Sequence, residues 1–143
     1  MKPDAHDILN KSADQLMSQL APALVATYSQ GTATIMALLM KFAAKEYERG
    51  ADIRAAENND MRVLFAELAP RVGDAALRKR LGEAADTRDT SLAISALNAA
   101  NDELRRTLIA LQVWVEENGT REDRQCIWIV LKAMADRRVV SLF

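Results

Sequence analysis

No proline interrupts the chain from Thr32 to Ala69, and within that stretch Ile35, Leu39, Phe42, Ile53, Met61, Leu64 and Leu68 recur near three-and-four spacing. Such a run predicts one long helix, because proline is the surest helix breaker and 3.6 residues per turn bring these positions close to one face. Unbroken, it would reach about 55 Å at 1.5 Å per residue. The rest of the chain then has to pack along it. Gly50 is its weak point, since glycine inside a helix costs roughly 0.5 to 1 kcal/mol relative to alanine. It marks either a kink or the close approach of another helix.

The remaining elements follow from caps and stripes. Ile8, Leu9, Leu16, Met17 and Leu20 after Pro3 and Asp4 predict a first helix over residues 4–20. Pro22 permits a short helix over 22–30, with Gly31 and Thr32 as a stop and a fresh N-cap; continuity through Gly31 is the alternative. Pro70 ends the long helix, and Gly73 with Asp74 supplies a turn and N-cap for a short helix over 75–85. Thr87 to Ser91 offers caps for a second long helix over about 91–117, whose stripe is Leu97, Leu104, Leu108, Leu111 and Val115. Asn118 and Gly119 tolerate the left-handed geometry that closes it. Thr120, with Asp123 three residues on, approximates a capping box for a last helix. Its apolar run Cys126–Leu131 is also strand-like, but a lone strand would have no partner.

The fold expectation is therefore all-α: a single domain over residues 1–143, an up-and-down helical bundle of five to six helices. Its two long helices, about 32–69 and 91–117, are expected antiparallel beside the C-terminal one.

Composition excludes more function than it suggests. Nineteen basic against twenty acidic side chains give a formal charge of −1, so no long-range field favours nucleic acid or anionic lipid. The N-terminal residues carry no secretory signal pattern, and the longest apolar run, Ala33 to Met40, is too short to span a bilayer. One cysteine forms no internal disulfide, which fits a reducing compartment. The expected setting is cytoplasmic.

With one histidine and one cysteine the chain cannot assemble the ligand sets that metalloenzyme bundles draw from facing helices. No metal site, cofactor or catalytic residue is expected. His6, in the first helical turn, reads as an exposed terminal side chain, and Cys126 as an inert core thiol.

Two polar residues fall where the stripes call for apolar ones. Glu57 lies between Ile53 and Met61, and Asn101 between Leu97 and Leu104. A buried polar group left unpaired costs about 1 to 3 kcal/mol, so each needs a partner or a pocket. With Arg62 and Arg105 nearby, the four residues form either a small-anion site or an internal network that fixes helix register. Trp114, Trp128, Leu142 and Phe143 are left over as large apolar groups suited to an interaction surface. The functional expectation is a non-enzymatic helical interaction module, a homodimer or a binder of another protein. The alternative is a bundle that binds a small organic anion through Glu57, Arg62, Asn101 and Arg105.

Overall fold

A computed structural model describes residues 2–139. The described chain is all-α: helices α1 (Ala5–Gln15), α2 (Thr27–Leu68), α3 (Ala75–Ala85), α4 (Ile94–Asn118) and α5 (Arg121–Arg137). It divides into two compact units, one running up to Gly50 and the other from Ala51 to Val139. Leu142 and Phe143 lie outside the described residues.

The first unit is a helical hairpin. The helix expected over 4–20 is regular only to Gln15 and continues as a π-helical turn, Leu16–Leu20, and a short turn, Ala21–Ala23. Pro22 has no N–H to donate back to the preceding turn, and the widened hydrogen bonding ends there. The separate 22–30 helix does not form. Instead α2 starts at Thr27 and passes through Gly31, and Thr32 donates its hydroxyl to the Tyr28 carbonyl at 3.0 Å rather than capping a new start. Gln30 secures the linker by donating to the Leu24 carbonyl at 2.7 Å.

Facing residues run in opposite directions along this hairpin. His6 Nδ1 donates to the Ala44 carbonyl at 3.0 Å, and Lys41 pairs with Asp14 at 2.6 Å. The seam between the helices is made of alanine: Ala13, Ala33, Ala37 and Ala44 are buried. Ile35, Leu39 and Phe42, read from the sequence as core positions, are exposed instead. Helix geometry explains it, since 100° per residue places them roughly opposite Ala33, Ala37 and Ala44.

The second unit holds a conventional core. Met61, Leu64, Phe65 and Leu68 from α2 pack with Val72, Leu81, the α4 stripe Leu104, Leu108, Leu111 and Val115, and Ile127 and Met134 of α5. Asp74 caps α3 by accepting from the Leu77 N–H at 2.8 Å. Thr120 and Asp123 make the full capping box that opens α5. Gly119 closes α4 without left-handed backbone, at φ −83°. Its glycine is required for room, because a Cβ there would lie 2.7 Å from the Val115 carbonyl oxygen.

One expectation about direction is reversed. Arg54 meets Asn98 and Glu57 meets Asn101, so partners advance together and α4 runs parallel to the second half of α2. The chain turns twice between them, around the short α3, and two reversals restore the original direction. In this unit the antiparallel neighbour of α2 is α5, where Asp60 meets Arg137 and Glu67 meets Cys126.

Candidate functional site

The sequence-level demand that Glu57 and Asn101 find partners is met inside the second unit. Glu57 and Asn58 are 0% exposed and Asn101 is 5% exposed. The Asn101 amide donates to Asn58 Oδ1 at 2.8 Å and to Glu57 Oε2 at 3.3 Å. Arg105, one turn further along α4, donates its Nε to Asn101 Oδ1 at 2.7 Å and its Nη2 to Glu57 Oε2 at 3.3 Å.

The strongest partner was not legible in the stripes. Arg138, just past the end of α5, clamps Glu57 bidentately, with Nε to Oε1 at 2.6 Å and Nη2 to Oε2 at 2.7 Å. Such fork-on-carboxylate geometry is the strongest form of side-chain hydrogen bonding. Burial pushes the Glu57 carboxyl up, but Arg138 and then Arg105 pull harder, and it settles below the usual carboxylate range. Both oxygens are thus occupied and held anionic. Such a group is a poor proton donor near neutral pH, and at 0% exposure it is out of reach of a molecule at the surface.

Arg62, the fourth residue expected at a ligand site, does not touch Glu57. It donates to Asp89 Oδ1 at 2.7 Å and to the Thr87 hydroxyl at 3.0 Å. Asn58 joins the two halves by donating to the same Asp89 oxygen at 3.0 Å. The Arg62 hydrogen bond lowers the Asp89 carboxyl most; burial opposes this and the Asn58 amide adds to it. The segment expected to cap α4 therefore closes over α2 instead, and α4 begins at Ile94 without a side-chain cap. The result is a chain of hydrogen bonds from Arg138 through Glu57, Asn101, Asn58 and Asp89 to Arg62. Its members satisfy one another.

Of the four residues, Arg62 borders a hollow of about 570 Å³, together with Asn59, Asp86, Arg88 and small residues such as Ala55 and Ala66. A second hollow of about 290 Å³ lies between α2 and α5 and is largely apolar, with Val63, Ile129 and Val130 beside Cys126 and Glu67.

The two singular residues have structural partners. His6 is half-buried rather than exposed, its Nδ1 on the Ala44 carbonyl and its Nε2 accepting from the Asn10 amide at 3.0 Å, so it ties α1 to α2. Cys126 directs its thiol at Glu67 Oε1 at 3.6 Å, and burial first, then that carboxylate, pushes the thiol up. A thiol so placed is a weak nucleophile at neutral pH. Among the described residues, no three His, Cys, Asp or Glu side chains gather to hold a metal ion. No helix among them is long and apolar enough to cross a membrane.

The residues expected at an interaction surface separate. Trp114 packs half-buried against the core, with its ring 3.8 Å from where a Cβ on Gly73 would lie, so the indole serves the protein's own interior. Trp128 is 57% exposed beside Leu131 and Arg124. The surface that pattern reasoning missed is on the hairpin, where Tyr28, Ile35, Met36 and Leu39 are exposed. Comparison with protein-family models, with curated proteins and with solved structures finds no match.

Proposed function

We propose that this protein is a helical interaction module that acts by associating with itself, without chemistry of its own. The observation that carries the reading is a division of labour between polar and apolar groups. The polar side chains around buried Glu57 hydrogen-bond one another, whereas Tyr28 is 88% exposed, Leu39 60% and Ile35 59%. A contiguous apolar patch facing water is the ordinary mark of a binding surface. Closed two-fold dimers are the commonest way to cover one. The single cysteine, which forms no internal disulfide, fits a cytoplasmic, reducing setting.

A second reading draws on the hollow beside Arg62. Arg88, Asn59 and the alanines that line it suit a small organic anion with an apolar body. Native mass spectrometry of the full chain, compared with its denatured mass, separates the two. A dimer without added mass is the expected result. A monomer contradicts self-association, and a reproducible small-molecule adduct on a monomer favours the second reading.

A further inference from the structure

We infer that the outer face of α2 in the hairpin, the seam Tyr28, Thr32, Ile35, Leu39 and Phe42, is where a second copy of this chain docks. The inference rests on the self-association reading and adds its location and geometry. These five positions are separated by four, three, four and three residues, the spacing of a coiled-coil core, and all five are exposed. Thr32 fits such a seam because its hydroxyl is already donated to the Tyr28 carbonyl, which leaves its methyl free to pack.

Among the described residues of the hairpin, this face has no partner. Ala33, Ala37 and Ala44, buried at 6%, 0% and 1% exposure, share the stripe that carries the His6 and Lys41 contacts to α1. The seam lies roughly opposite that stripe. Small residues face inward and large ones outward, the reverse of an isolated surface helix.

Charge and area both favour a copy of the same chain. From Gln15 to Met40 there is no Asp, Glu, Lys or Arg. Within this uncharged stretch two such faces meet without burying a charge or opposing like charges, and Glu46, in line with the seam beyond Phe42, falls at its edge. The exposed fractions of Tyr28, Ile35, Met36, Leu39 and Phe42 amount to on the order of 700 Å² per copy, close to the ~800 Å² per partner of a standard interface. An antiparallel pairing with its two-fold axis level with Ala37 sets Ile35 against Leu39 and small Thr32 against large Phe42 of the other copy. It also places the charged segment Lys41–Arg49 beside the uncharged start of the partner helix. A parallel pairing would set each charge beside its own copy.

Size-exclusion chromatography with light scattering on the full chain tests the inference, with far-UV circular dichroism reporting the fold. Wild type, Trp128→Lys and Ile109→Lys should be dimers of equal affinity, while Leu39→Lys and Ile35→Lys should keep their helicity and dissociate on the order of 100-fold more readily. A dimer that survives both seam substitutions but falls apart in Trp128→Lys overturns the location and leaves self-association standing. A wild-type monomer overturns both, and a monomer that floats with phosphatidylcholine vesicles shows that the seam meets lipid instead. In a Cys126→Ser background, mixed Ile35→Cys and Leu39→Cys chains should cross-link to each other in preference to themselves. Preferential self-linking of Ile35→Cys overturns the antiparallel pairing.

Discussion

The hairpin up to Gly50 and the unit from Ala51 to Val139 are both rich in apolar residues, yet they place them oppositely. The second unit encloses Phe65, Met61, Leu68, Leu81 and Leu111. The hairpin encloses alanines and turns Tyr28, Ile35 and Leu39 outward. Two helices alone cannot surround a large side chain, so close approach through alanine is one solution open to a hairpin, and the bulky groups then need another surface. The contrast shows why apolar content by itself does not locate a core.

The comparison is broken most severely at Phe65. Truncation to alanine leaves a cavity amid the α2, α4 and α5 side chains and should cost about 3 to 5 kcal/mol in urea unfolding followed by tryptophan fluorescence, since both indoles lie in that unit. Next comes the buried ion pair. Arg138→Met leaves a 0% exposed carboxylate with only the longer Arg105 and Asn101 contacts and should cost about 3 kcal/mol. Glu57→Met should cost clearly less. The Arg138 and Arg105 side chains it releases are 45% and 42% exposed and can hydrate. Equal costs for the two would contradict an arginine-compensated buried carboxylate.

The same cluster sets a pH dependence. Glu57, Asp89 and Asp123 all have depressed carboxyl pKa values in the folded protein, the last held first by the Thr120 N–H. A depressed pKa stabilises the fold above the unfolded value, about 4 for these groups, and that contribution disappears as pH falls through the folded value. Stability measured by urea should therefore be flat near neutrality and fall below about pH 4. Glu57→Gln should flatten the fall.

In the hairpin the effects are smaller and opposite in sense. Ala37→Leu adds bulk to a seam with no room and should cost about 1 to 3 kcal/mol, read from amide exchange in α1. Leu39→Lys, on the other face, should change the folding stability of the dissociated chain by less than about 0.5 kcal/mol while weakening the dimer on the order of 100-fold. If Leu39→Lys unfolds α1, the outer face is a core after all.

Much of this architecture is legible from local chemistry. The 75–85 helix, the capping box at Thr120 and the Leu97 to Val115 stripe follow from caps and periodicity, and the structure has them in place. What periodicity cannot supply is which side of a helix finds a neighbour. Ile35 and Leu39 look like Met61 and Leu64 along the sequence, and only the alanines opposite them, with α1 laid along that side, decide the difference. The polar cluster was half readable. Glu57 and Asn101 announce themselves as interruptions of apolar stripes, but Arg138 lies beyond the end of its helix, where stripe arithmetic stops. Asp89 sits in a segment whose composition suggests a cap. Direction was misread because the number of chain reversals around α3, rather than any stripe, makes α2 and α4 parallel.

Hydroxyl-radical footprinting across a dilution series tests the central claim most directly. At high protein concentration the account predicts protection of Tyr28, Met36, Leu39 and Phe42 that is lost together on dilution, with Ile109, Val113 and Trp128 reacting equally throughout. Concentration-independent labelling of the α2 seam, or protection that follows Trp128 instead, would contradict it.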